Sequence, residues 1–198
     1  MIQVCAIGGE PATGKSTLAI RLLEELSKKE HPRQFRLSFV RGLEFRSEKL
    51  FVLGVYEGTT FPGTDRLSMA VQPETINWLT FMNQAETWHG WQVLFEGDRL
   101  CTGSFFSALS QQVISFRLFL TVCNQQELAN RRATRKQSAI WLKGRAAKWD
   151  GLQRAWPCQM LPNGNEKELF DAISFILNEL ERFRNNLPPF SRPQPGSS

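Results

Sequence analysis

Little in this chain suits a disulfide scaffold, a metal cluster or a membrane span. Its four cysteines, Cys5, Cys101, Cys123 and Cys158, form no Cys-x-x-Cys unit, and none has a histidine nearby at metal-ligand spacing. Three sit in apolar runs and read as small buried hydrophobes, which points to a reducing compartment. No apolar stretch approaches the roughly 18–20 residues of a spanning helix. The first residues, Met1 to Gly9, lack the basic region and the long apolar run of a secretory leader. A cytoplasmic protein with no membrane partner is expected. No internal repeat is visible. Tyrosine occurs once, against fifteen Phe and six Trp, so some aromatics are left over for a stacking surface once a core is filled.

Acidic residues are scarce in one stretch. Between Arg117 and Arg154 stand nine Lys or Arg and only Glu127 and Asp150, giving that segment +7 of a total of +5. The remainder is therefore near −2, and a polyanionic partner fits the asymmetry. Bound triphosphate alone accounts for part of it.

Apolar patterning alternates between short strands and amphipathic helices. Strands are expected at 2–7, 35–40, 49–56, 92–95, 115–123 and near 156–161. Helices are expected at 15–29, from Pro73 to about 89, at 104–113, at 125–137 and at about 166–185. Leu18, Leu22, Leu23 and Leu26 give the first helix its buried stripe, and Lys28 and Lys29 suit its C-terminal dipole. Residues 57–72 form a long polar loop, a length that usually marks function. Residues 138–151 show no period that decides their structure. The Pro-rich segment 187–198 is expected to be disordered. The alternation implies an α/β fold with a mostly parallel sheet.

The sharpest motif is Gly9-Glu10-Pro11-Ala12-Thr13-Gly14-Lys15-Ser16, a Gly-x4-Gly-Lys-Ser phosphate loop between a strand and a helix. Gly9 and Gly14 allow the turn that aims successive N–H groups, Ala12 and Thr13 included, at phosphate oxygens. Lys15 reaches the outer phosphates, and the Ser16 hydroxyl suits Mg²⁺. Thr17 is placed for the inner phosphate.

Three further groups carry candidate chemistry. Glu96 and Asp98 end an apolar strand, where an acid holds Mg²⁺ or its water in phosphate-loop proteins; a solvated strand end is the plain alternative. Thr64, Asp65 and Arg66 lie in the long loop. Asp65 is suited to accept a proton from an attacking hydroxyl and Arg66 to hold an anion, while Pro-Gly-Thr-Asp is also ordinary turn chemistry. Arg131, Arg132 and Arg135 follow the strand at 115–123. Residues 131 and 135 share a helix face, suited to a transferring phosphoryl group, with a solvated basic face as the alternative.

This order resembles the nucleoside and nucleotide kinase branch of phosphate-loop proteins. The resemblance covers residues 1–186. It implies a three-layer α/β/α domain with a mostly parallel five-stranded sheet and a helical lid at about 131–150, using ATP and Mg²⁺. Carried over, it places Lys15 and Ser16 on phosphate and metal, Glu96 or Asp98 at the metal, and Asp65 or Asp98 as base. Arg131, Arg132 and Arg135 become lid arginines. More narrowly, residues 57–72 with Phe95-Glu96-Gly97-Asp98-Arg99-Leu100 are similar to bacteriophage kinases that phosphorylate 5-hydroxymethyluracil within DNA, a step in thymidine hypermodification. That implies DNA containing 5-hydroxymethyluracil as partner, in the host cytoplasm. Thr64, Asp65, Arg66, Arg99, Trp141, Lys143 and Arg145 become candidate substrate contacts. Arg66 departs from the small residue expected at its position. A kinase of a nucleoside monophosphate or related metabolite uses the same loop and lid, and a nucleotide-dependent binding module is the rival of another class.

Overall fold

The computed structural model describes residues 1–56, 62–133 and 137–185. Seven strands form one sheet in the order β2-β3-β4-β5-β1-β6-β7. They are β1 (Gln3–Gly8), β2 (Arg33–Arg36), β3 (Arg41–Phe45), β4 (Leu50–Leu53), β5 (Gln92–Glu96), β6 (Ser115–Val122) and β7 (Cys158–Pro162). The helices are α1 (Lys15–Lys29), α2 (Val71–Gln84), α3 (Gly103–Gln111), α4 (Gln125–Ala133), α5 (Ala139–Ala155) and α6 (Glu166–Arg184).

The five strands from β4 to β7 run parallel, and β2 and β3 add to them as an antiparallel hairpin. The expected count of five is thus corrected to seven. The apolar run at 35–40 is not one strand: β2 ends at Arg36, Leu37 N–H donates to Val40 O at 2.9 Å, and β3 turns back. A contact distant in sequence fixes that turn. The Glu74 carboxylate accepts N–H bonds from Ser38, Phe39 and Val40 at 3.1, 2.6 and 3.2 Å.

Two apolar layers cover the sheet. Leu18, Leu22 and Leu26 of α1 pack with Leu169, Ile173 and Ile176 of α6 on one face. Val71, Leu79 and Met82 of α2, Phe105 and Leu109 of α3, and Trp149 and Leu152 of α5 cover the other. β1 and β5 are buried along their whole length, as a parallel strand covered on both sides must be. The helix expected to open at Pro73 begins two residues earlier. Proline is tolerated there because the first N–H groups of a helix have no acceptor within it.

The undecided segment 138–151 is helical and part of α5. Ser138 caps it by accepting the Trp141 N–H at 3.3 Å. Its periodicity is blurred because one face meets the core through Trp149 while another meets solvent at Trp141. All four cysteines are free. No described helix is long and apolar enough to cross a membrane. The tail expected at 187–198 lies outside the described residues.

Candidate active site

The phosphate loop leaves β1 at Gly8 and enters α1 at Lys15. Gly9 and Gly14 both take positive φ, 137° and 87°, and Ala12 joins them at 73°. The loop is tied from behind. The Thr121 hydroxyl donates to Gly8 O at 3.0 Å and lies 2.7 Å from the Thr13 hydroxyl. The Asn163 amide donates to Thr13 O at 2.9 Å. Thr13 therefore turns its side chain into the protein, where it braces the loop, and Thr17 is exposed on the first turn of α1.

Lys15 folds across the loop and donates to Gly9 O at 2.8 Å and Glu10 O at 3.0 Å. Burial lowers its pKa, opposed by the negative charges of Asp98 and Glu96. The Ser16 hydroxyl donates to Glu96 Oε1 at 3.1 Å. Glu96 is 2% exposed at the end of β5. Burial raises its pKa from 4.5 to about 7, with Lys15 pulling it back and Asp65 pushing it further up. Hydroxyl and carboxylate side by side are hard oxygen donors, a pair that suits Mg²⁺. Among the described residues no group of three His, Cys, Asp or Glu is spaced to hold a metal unaided, so phosphate oxygens and water would complete any such shell.

Asp98 is engaged differently. Arg145 of α5 lies 3.0 Å from its Oδ2, and Lys148 lies 3.1 Å from its Oδ1. Both carboxylate oxygens thus face cations from the helix above. Asp65 sits in a single 3-10 turn, Thr64–Arg66, pinned to the end of β5 by the Thr64 hydroxyl, which donates to Glu96 O at 2.8 Å. Its Oδ1 accepts the Arg99 N–H at 3.0 Å, and Arg99 in turn donates to Asp65 O at 3.3 Å.

These groups meet in one cleft of about 620 Å³. Lys15, Ser16, Asp65, Glu96, Asp98, Arg99, Trp141 and Arg145 all line it. Met69 and Gln72, from the run 57–72, line it too, as does Thr102, which sequence reasoning did not single out. There the Gln72 amide donates to Ser104 at 2.9 Å, and Thr102 donates to Gln72 Oε1 at 3.2 Å. Arg145 lies 5.2 Å from the Trp141 ring centre, a cation–π contact on the wall. Arg66 and Lys143 are exposed and do not line the cleft.

The arginines of α4 lie on the other side of the loop. Arg131 donates to Asn163 O and Gly164 O, both at 3.0 Å, and pairs with Glu127 at 2.6 Å. Arg132 pairs with Glu10 of the phosphate loop itself at 2.5 Å. Arg135 lies outside the described residues. Glu10, Asn163, Thr121 and Lys148 were missed as site residues. Glu10 had a signal as the one acid within the motif, and Lys148 as part of the basic run between Trp141 and Trp149.

Strand order, loop geometry and helix placement together define a phosphate-loop α/β/α fold. No protein-family model matches the chain, and no curated protein matches its sequence. Among solved structures, a sugar kinase from Janibacter sp. HTCC2649 aligns with a TM-score of 0.47 and 11% identity, covering 95% of this chain and 99% of that one. A shikimate kinase from Bacteroides thetaiotaomicron aligns with a TM-score of 0.43 and 11% identity, covering 90% and 98%. At that distance neither bears on substrate or activity.

Glu96 predicts a pH dependence. Its folded pKa lies above the unfolded value, so its contribution to stability is full below about 4.5 and is lost as pH rises towards about 7. Cation binding needs the ionised form and must run the other way. Apparent Mg²⁺ affinity in the presence of ATP is expected to rise about tenfold from pH 6 to pH 8. Titration calorimetry at both pH values checks this, with Glu96→Gln expected to flatten the dependence.

Proposed function

We propose that this chain is a phosphotransferase that moves the terminal phosphoryl group of ATP to a hydroxyl acceptor held in the 620 Å³ cleft. The observation that carries this reading is the convergence in one cleft of Lys15, Ser16, Glu96 and Asp65. A nucleotide-binding module needs the loop but has no need of a carboxylate across the cleft from it. Ser16 and Glu96 would hold Mg²⁺, which supplies charge neutralisation at the phosphates. The loop N–H groups and Lys15 stabilise charge on the migrating group. Asp65 takes the proton of the acceptor hydroxyl as it attacks. Trp141 and Arg145 form the part of the wall that α5 supplies.

For the acceptor we propose the 5-hydroxymethyl group of uracil in DNA. The resemblance in residues 57–72 and 95–100 supports it. A base reaching the cleft has left its stack or comes from a single strand. Exposed Trp141 and half-buried Arg145 offer it a stacking and charged wall. The polar lining at Gln72 and Thr102 suits a small metabolite equally well, so a nucleoside monophosphate or similar molecule is the second reading. Labelled ATP with 5-hydroxymethyluracil DNA is expected to transfer label to the DNA. Label on free nucleotide, with none on DNA, rejects the first reading in favour of the second.

A further inference from the structure

The geometry points to the tip of the β2–β3 hairpin as a polynucleotide-backbone contact beside the cleft, an inference that rests on the DNA-acceptor reading above. Arg36 and Arg41 stand directly opposite each other in the antiparallel ladder. Like charges in that arrangement are destabilising. Both side chains are exposed, and among the described residues neither pairs with an acid. Elsewhere in the hairpin an acid stands among the cations: Arg33 faces Glu44 across the ladder, and Glu44 is bonded to Arg46 at 3.0 Å. At the tip the two arginines face only each other.

Between the two arginines the turn presents Phe39, an aromatic side chain 46% exposed. The turn is held rigid, since three of its N–H groups are bonded to the Glu74 carboxylate. An apolar ring and two unpaired cations on a fixed turn form a surface that stacks on a base and holds phosphates.

Its place in the sheet matches the cleft. Gly54, just past the end of β4, donates to Arg41 O at 2.8 Å, so the tip lies at the carboxyl end of the parallel strands. Glu96 ends β5 at that same end, two strands from β3 and three from β2. At about 4.8 Å per strand the two arginines' strands lie roughly 10 and 14 Å along the sheet from that of Glu96. A chain with one base in the cleft passes its neighbouring phosphates over them, because a strand carries a charge every ~3.4 Å of its rise.

The test is a labelled single-stranded oligonucleotide titrated against wild-type protein and the Arg36→Gln/Arg41→Gln variant over a range of salt. Affinity is expected to fall on the order of tenfold at ~0.1 M salt. The salt slope is expected to fall by about 1.4, which is about 0.7 for each phosphate no longer neutralised. Thermal stability of the variant should equal or exceed that of wild type, because a repulsive pair is removed, and stabilisation by added ATP should be unchanged. Equal affinity and slope in the two proteins overturns the inference, as does wild-type protein that does not bind the oligonucleotide. A reduced slope without phosphoryl transfer to 5-hydroxymethyluracil DNA upholds the hairpin contact and rejects the acceptor reading.

Discussion

Lys15→Ala is expected to slow phosphoryl transfer by on the order of 10³-fold while the fold survives. The ammonium group is the only cation of the phosphate loop, and it spans the loop to the Gly9 and Glu10 carbonyls. Its burial depresses its pKa, a sign that the charge is held in a poorly solvated place where it acts strongly on a migrating phosphoryl group. The loop does not depend on it for shape. Thr121, Thr13 and Asn163 fix the backbone from the opposite side. Removing a buried charge that lacks a close carboxylate partner should leave thermal stability unchanged or slightly higher. Single-turnover transfer from labelled ATP, with thermal unfolding as control, measures both. A variant that turns over at the wild-type rate removes the loop from the mechanism.

Asp65→Asn is expected to cost about 10²–10⁴ in the transfer rate, the range for loss of a general base. Asparagine keeps the oxygen that accepts the Arg99 N–H, so the turn should hold its place. Asp98→Asn should behave differently. Its carboxylate balances Arg145 and Lys148, so the loss falls on the position of α5 and appears mainly in KM. Measuring kcat and KM for the two variants separates the roles. Full rate in the Asp65 variant together with collapse of kcat in the Asp98 variant moves the base to Asp98.

Local signals made part of this molecule legible. The phosphate loop, its strand and its helix could be read because one short segment contains everything needed to form them. The acid ending β5 was readable for the same reason. What escaped depended on distant partners. The strand β3 carries only five residues, two of them charged, and it exists because β2 and β4 flank it. The turn before it depends on Glu74, more than thirty residues away. Asn163 reaches the phosphate loop across 150 positions. The helix α5 was undecided because its two faces serve different environments, which cancels the period that a one-sided helix displays. The arginines of α4 were legible as a cluster but not in their bonding, since Arg131 donates to two carbonyls and to Glu127 while Arg132 pairs with Glu10.

Trp149 packs its ring against Gly8, where no Cβ could fit beside it, and with Leu152 roots the second half of α5 in the core. Ile140, near the other end of that helix, is 87% exposed. The helix is thus anchored in its second half by Trp149 and Leu152 and nearer its middle by the ion pairs of Arg145 and Lys148 with Asp98. From Trp149 to Ala139 it extends about 15 Å. Of the two tryptophans on this helix only Trp141 lines the cleft, so its fluorescence is the one expected to change when the cleft fills.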